Sequence, residues 1–170
     1  MDNDLTTIRE AFIGHWGAMG NAWGINRTMA QIHALLMMNV EPLTTLDVMN
    51  ELEISRGNAN TNLRELVEWG LVRSIVRRGD RKEYFAAEKD VWRIFCIISR
   101  ERKRREIEPI AAFLEDCHQR ATNFETKEGQ QVASMLGDLS EFVSLANTVM
   151  EKIAESERSK VVPAVMKFFK

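Results

Sequence analysis

Between Ser55 and Lys82 the chain reads SRGNANTNLRELVEWGLVRSIVRRGDRK, and few folds accommodate that succession. Ser55 can accept a hydrogen bond from the free N–H groups of a helix start. Ala59, Leu63, Leu66 and Val67 recur at helical spacing and predict one apolar face from about residue 56 to 69. The other face carries Arg56, Asn58, Asn60, Thr61, Asn62 and Arg64, and its N-terminal half has no acid. Asparagine and threonine are mediocre helix formers, so local stability does not account for so many of them. Gly70 stops the helix. A strand from Leu71 to Arg77, a tight RRGDRK turn and a second strand from Glu83 to Ala87 follow. A polar helix leading into a hairpin with a cationic tip is the pattern of a winged helix-turn-helix.

The residues upstream supply the rest of that unit. Thr44 as cap with Asp47 three residues on fits a helix-start box, and the helix predicted from it runs to about Leu52. It is expected to bury Leu46, Val48 or Met49, and Leu52, with Glu53-Ile54 as the turn before Ser55. Two short helices joined in this way form a helix-turn-helix. A plain three-helix core is the competing account, but it would not require the Asn/Thr/Arg face. Asn26 can cap an earlier helix in which Met29, Ile32, Leu35 and Leu36 face a core, up to about Asn39. His33 lies beside that stripe and reads as a core-edge histidine. Pro42 keeps Glu41 out of helical geometry, so Glu41-Pro42-Leu43 is expected to be extended and able to pair with the wing. At the start, Leu5, Ile8, Phe12, Trp16 and Met19 form an amphipathic helix expected to end among Gly17 and Gly20, before a GNAWG loop.

Charge is distributed unevenly. Residues 1–52 hold 2 Lys/Arg and 6 Asp/Glu, residues 53–105 hold 14 and 8, and residues 106–170 hold 7 and 11. A basic centre between acidic flanks is the footprint of a local nucleic-acid surface. Amide and hydroxyl side chains match base edges and phosphates in a major groove. Duplex DNA is therefore the expected partner.

After the wing, a helix from Glu88 or Asp90 is expected to bury Trp92, Phe95 and Cys96. The run Arg100-Glu101-Arg102-Lys103-Arg104-Arg105 is charged all round the helix, either a solvated face or one crossing close to phosphates. Pro109 breaks that helix or starts the next, which carries Ile110, Phe113, Leu114 and Cys117, and a loop spans Asn123 to Gly129. The last long helix places Val132, Leu136, Leu139, Val143, Ala146, Met150 and Ile153 at alternating spacings of 4 and 3, widened by Met135, Phe142 and Val149. That is a three-heptad seam suited to another helix, on the same subunit or on a second copy. A second copy would supply the twofold symmetry that sets two recognition helices in successive major grooves. The tail VVPAVMKFFK reads as a short docked helix.

Other function classes find little support. No glycine-rich phosphate loop, nucleophile elbow or HExxH motif occurs, the three histidines (15, 33 and 118) are scattered, and Glu115-Asp116 lie on adjacent helix faces. An enzyme, a cofactor and a metal site are not expected. Cys96 and Cys117 lack CxxC or Cys/His ligand spacing, so neither a disulfide framework nor zinc follows. No signal peptide is expected before the first helix, and no apolar run approaches bilayer length. A cytoplasmic location is expected.

The run SRGNANTNLRELVEWGLVRSIVRRGDRKEYFAAE resembles the GbsR-like branch of the MarR-type transcriptional regulators. Ser55, Arg56, Gly57, Asn62, Leu63, Arg64, Leu66, Trp69, Gly70, Leu71 and Val72 match the branch's helix motif. Gly79, Arg81, Lys82, Tyr84 and Phe85 match its wing motif, and GNAWGINRTMAQIHALL is similar to its N-terminal loop and first helix. The similarity covers roughly residues 12–95, and the later helices match in pattern only. The resemblance implies a homodimeric DNA-binding regulator, expected to be a repressor on a pseudo-palindromic operator, with the outer helices forming the dimer. Some members of the branch respond to choline or related osmolytes.

The expected architecture is mainly α with a small β-hairpin wing. Residues 1–24 form an N-terminal helix and loop, 25–90 a winged helix-turn-helix, and 91–170 a helical dimerisation region. The candidate DNA contacts are Ser55, Arg56, Gly57, Asn58, Asn60, Thr61, Arg64, Arg77, Arg78, Arg81 and Lys82, with Asn62 facing more sideways. Gly57 lets a helix N-terminus approach a phosphate closely. Asp80 would be repelled by phosphate and either orients a neighbouring arginine or forms the turn. Trp69 reads as a core anchor. Phe12, Trp16, Leu136, Leu139, Phe142, Val143, Ala146 and Met150 are the candidate dimerisation residues. His15, Trp16, Trp23 and Trp92 either surround a small-molecule effector site, where aromatic faces attract quaternary ammonium cations, or simply pack between helices. A winged helix used only for protein–protein assembly is the competing class, and a steep salt dependence of duplex binding would separate the two.

Overall fold

The computed structural model describes residues 2–158. It divides into two compact units, one ending at Ile94 and the other beginning at Phe95.

The first unit opens with α1 (Asp2–Ala22), followed by α2 (Arg27–Met38), β1 (Leu43–Thr44), α3 (Thr45–Leu52), α4 (Arg56–Trp69), β2 (Val72–Val76) and β3 (Glu83–Ala87). The start of α2 is fixed by Asn26, whose side chain accepts from the N–H groups of Thr28 and Met29 at 2.8 and 3.1 Å. The Thr44 box forms as expected: Asp47 accepts from the Thr44 N–H and hydroxyl at 2.8 and 2.7 Å, and Thr44 caps the Asp47 N–H. Those bonds hold the Asp47 carboxyl below the usual aspartate range, the Thr44 hydroxyl contributing most. Glu53, with φ 52°, turns the chain from α3 into α4. The core gathers Met29, Ile32, Leu35 and Leu36 of α2, Val48 of α3 and Ala59, Leu63 and Leu66 of α4, all at 1% exposure or less. Each large side chain so buried stabilises the fold by about 1.5–3 kcal/mol. Trp69 is a core anchor at 5%.

The sheet has the order β1-β3-β2, all antiparallel, with Leu43 opposite Phe85 and Ser74 opposite Phe85 on the other side. The extended piece after Pro42 thus pairs with the wing. Leu46, expected in the core, is 54% exposed; two residues of helix rotate Val48 to the opposite side, and Val48 takes the buried position.

The glycines of α1 correct a second expectation. The helix does not stop among Gly17 and Gly20 but continues to Ala22, and only Trp23 to Ile25 form the turn. A Cβ on Gly17 would stand 2.5 Å from Gln31 Cγ, and one on Gly20 would stand 2.6 Å from Ala30 Cβ. These glycines bring α1 against α2. The N-terminal helix, expected as a segment of its own, therefore packs within the winged-helix unit.

The α2 C-terminus is tied down from a distance. The Lys89 ammonium donates to the carbonyls of Leu36, Met37 and Asn39 at 2.7–2.8 Å. It fills carbonyls that a helix end leaves unmatched and complements its dipole.

A fifth helix, α5 (Val91–Arg102), begins under the Asp90 cap and crosses the division between the units. Cys96 is fully buried, Trp92 is half-buried, and Phe95, expected inside, is 46% exposed because Ile94 and Ile97 occupy the inward positions. In the second unit a π-helical turn (Lys103–Ile107) leads into α6 (Glu108–Ala121), with Pro109 in its first turn. The chain passes Pro109 by widening the helix rather than breaking it. Thr126 then caps α7 (Lys127–Glu155), which packs along α6. Gly137 admits the His118 ring, whose Nδ1 lies 2.9 Å from the Ala133 carbonyl. The tail after residue 158 lies outside the described residues.

Candidate nucleic-acid interface

The N-terminal half of α4 presents a polar surface because its apolar positions are spent inward. Ser55 caps the helix through the Asn58 N–H at 3.3 Å. Ser55, Arg56, Gly57, Asn58, Thr61 and Arg64 are exposed, and Asn60 is half-buried. A Cβ on Gly57 would meet nothing within 4 Å, so the free amides of the first turn are open to solvent there. An anion is favoured at such a helix start.

Asn62 stands apart from the others. It is 4% exposed, and its amide nitrogen donates to both the Asn58 carbonyl at 2.8 Å and the Asn58 side-chain oxygen at 2.7 Å. The structure thus corrects its expected place: Asn62 belongs under the polar face rather than on it.

The wing carries the second cluster. Arg77, Arg78, Arg81 and Lys82 are all exposed around a turn closed by the Asp80 N–H on the Arg77 carbonyl at 3.1 Å. Gly79 has φ +84° at the third turn position, a conformation that favours glycine. Asp80 is not tied to an arginine. Its carboxylate accepts from the Lys82 N–H at 2.9 Å and from the Tyr84 hydroxyl at 2.7 Å. The Lys82 N–H, then the Tyr84 hydroxyl, hold the Asp80 carboxyl below its ordinary range, and the same bond raises the Tyr84 phenol. Arg77 lies over the Tyr84 ring at 4.2 Å and within 3.9 Å of Glu41. Tyr84 thereby organises the wing from both ends. Its alternation in the strand was visible in the sequence, but the reach of Asp80 across the turn was not.

The charged run 100–105 is engaged in ion pairs of the second unit. Arg100 pairs with Glu157, Arg102 with Glu106 at 3.0 Å, Arg104 with Glu101 at 2.6 Å, and Lys103 with Glu108 and Glu151 at 3.0 and 3.7 Å. Glu101 is 8% exposed. The run is held by acids of its own unit, which favours the solvated, self-paired account over a phosphate track.

Of the candidate effector residues, Trp16 stacks on Phe12 with centroids 5.3 Å apart and stands 6.4 Å from His33. His15 and Trp23 are exposed, Trp23 by 50%. Burial, with Lys89 as a lesser cause, lowers His33 to about 4. Cys96 and Cys117 are free thiols. Among the described residues no three His, Cys, Asp or Glu side chains are grouped as metal ligands would be. Among the same residues no helix is long and apolar enough to cross a membrane.

An exposed polar helix, a preceding short helix and a cationic three-stranded wing on one core define a winged helix-turn-helix. Residues 23–83 match the MarR family model, which takes in α2 through the wing tip. Over 96 residues the chain is 29% identical to the HTH-type transcriptional repressor GbsR of Bacillus subtilis (strain 168), covering 56% of this chain and 52% of that protein. It is 24% identical over 102 residues to the putative HTH-type transcriptional regulator YvaV of the same organism, 58% of each chain. The chain thus spans little more than half the length of the curated relatives it matches. A crystal structure of a transcriptional regulator shares the fold, with a TM-score of 0.56 at 18% identity over 85% of this chain and 98% of that one. The GbsR-like resemblance drawn from the helix and wing motifs is supported by these relatives.

Proposed function

We propose that the protein is a cytoplasmic, sequence-specific DNA-binding regulator of transcription that acts as a homodimeric repressor on a pseudo-palindromic operator. One observation carries the proposal: the acid-free exposed start of α4 and the arginine-rich wing tip lie on the same folded unit. Recognition helices place their first turns against base edges in the major groove, while a wing reaches the neighbouring backbone or minor groove. Asn58, Asn60, Thr61 and Arg64 are assigned to bases or phosphates, and Arg77, Arg78, Arg81 and Lys82 to the wing contact. Arg56 and the Gly57 amides face a phosphate.

The dimer is assigned to α1 and α7. Val132, Met135, Leu139, Phe142, Leu145 and Val149 of α7 are exposed by 43–69%, more apolar surface than one long solvent-facing helix tolerates without a partner. Half-sites would then lie about one helical turn apart, ~10 bp. A small-molecule effector would act by shifting the population of dimers with the correct helix spacing, so ligand and DNA must weaken each other equally.

Fluorescence anisotropy of purified protein on genomic duplex fragments tests the central claim. Binding that falls steeply with salt is expected, and Arg81→Ala should weaken it on all sequences while flattening the log–log salt slope by about one counterion. Absence of binding above background at low salt, with and without choline or glycine betaine, rules the proposal out.

A further inference from the structure

We propose that Asn62 is a specificity-positioning residue: from beneath the polar face it fixes the orientation of the Asn58 side-chain amide so that its uncommitted NH2 group is the end favoured for DNA. The inference rests on the DNA-binding reading and adds to it which chemical edge Asn58 recognises.

The argument begins with an acceptor whose identity is unambiguous. The backbone oxygen of Asn58 can only accept, so the Asn62 atom 2.8 Å from it is the amide nitrogen. The same nitrogen lies 2.7 Å from the Asn58 side chain, and a donor there requires the Asn58 oxygen rather than its nitrogen. At 4% exposure Asn62 is held inside the helix packing, so this choice is not made afresh in solvent. Asn58 sits in the first turn of α4, with its own N–H on the Ser55 cap and its side chain exposed. With one oxygen lone pair engaged by Asn62, the NH2 group is the end of the amide left wholly uncommitted.

A free asparagine in a major groove commonly pairs twice with adenine, donating to N7 and accepting from N6. Asn58 held by Asn62 already has one oxygen lone pair committed, which weakens the accepting half of that pair. Its expected partners are edges that only accept: guanine N7 and O6, or thymine O4. Pre-setting the rotamer also removes part of the ordering cost that a mobile side chain incurs on binding.

Two measurements separate the contact from its consequence. In free protein, side-chain amide NMR should show the Asn62 NH2 protons slowed in exchange and shifted downfield, and Asn58→Ala should abolish part of that shift. An Asn62 amide that exchanges like an exposed one overturns the proposal without reference to DNA. Selection of bound duplexes from a randomised pool then compares wild type, Asn62→Ala, Asn58→Ala and the double variant. Asn62→Ala should relax preference at one base position per half-site by about fivefold or more, admitting adenine there, with affinity for non-specific duplex within about twofold. Asn58→Ala should relax the same position, and the double variant should do no more. Equal loss on all sequences, or unchanged preference at every position, overturns the positioning role while leaving the DNA reading intact. Failure of wild type to select any sequence rejects the DNA reading and with it this proposal. Thermal unfolding of each variant identifies loss of fold, and Asn62→Ser, which retains a small buried donor, provides a second route if Asn62→Ala unfolds.

Discussion

The two units of this chain treat their apolar residues in opposite ways. In the first, Met29, Ile32, Leu35, Leu36, Leu63 and Leu66 are all within 1% of complete burial. In the second, Phe113, Met135, Phe142 and Leu145 stand 61–69% exposed on α6 and α7, while small Ala121, Ala133 and Ala154 are buried. A winged helix closes its core with its own three helices and sheet. Two long helices packed side by side bury one stripe each and leave the remainder of a wide apolar face in water. The first unit covers its large core side chains itself, and the exposed apolar face of the second is the surface that the proposed dimer would cover.

The largest expected effect comes from attacking the second unit. Leu139→Glu with Val143→Glu should convert dimer to monomer in sedimentation velocity and reduce operator affinity by about 100-fold or more through lost bivalency. A wild-type protein that sediments as a folded monomer would break the comparison. In the first unit, Leu63→Ala should lower unfolding stability by about 2–5 kcal/mol without changing the sedimentation coefficient at low temperature. Dissociation on this substitution would mean that the first unit also depends on its partner.

Acid sharpens the contrast further. His33 is 3% exposed with its Nε2 buried and unpartnered, and its folded value of about 4 lies below the ordinary 6.5. The neutral ring is favoured in the folded state, so stability is unaffected at pH 7, declines as pH falls below 6.5 and reaches its full loss near 4. The loss is about 3 kcal/mol. Denaturant melts between pH 7 and 4 should show it, and His33→Phe should remove that part of the pH dependence. The smallest effects concern α1. Gly20→Ala should cost about 1–3 kcal/mol by forcing α1 away from Ala30. Gly14→Ala, with open space for its Cβ, should instead stabilise by about 0.5–1 kcal/mol. Thermal unfolding compares the two, and equal shifts would contradict close α1–α2 packing.

Most of the first unit was legible because its signals are local. The Asn26, Thr44 and Ser55 caps, the αL glycine at position 70 and the alternation through Tyr84 and Phe85 each act within a few residues. What escaped depends on contacts distant in sequence or on competition between neighbours. Gly17 and Gly20 read as helix stops because the tight α2 surface opposite them is not written nearby. Lys89 caps a helix fifty residues earlier, and no residue near it in the sequence signals that. Of the two roles open to Asp80, the turn former holds through the Lys82 N–H and the arginine orienter does not, while its bond to a tyrosine four residues on was not foreseen. On α4 the periodicity placed Asn62 near the boundary between polar and apolar faces, and only packing decided its side. The seam of α7 was visible as a period, yet a period names no partner.

The three glycines at 14, 17 and 20 also bear on the order in which the molecule assembles. Each costs about 1 kcal/mol of helix propensity relative to alanine, so the C-terminal half of α1 is a weak helix as an isolated segment. The surface that compensates is α2, which must already be helical and capped before Gly17 and Gly20 have anything to rest against. α1 is therefore expected to dock late in folding, with φ-values near zero, after α2, α3 and α4 have condensed. By the same logic its amides should exchange through an opening less costly than global unfolding.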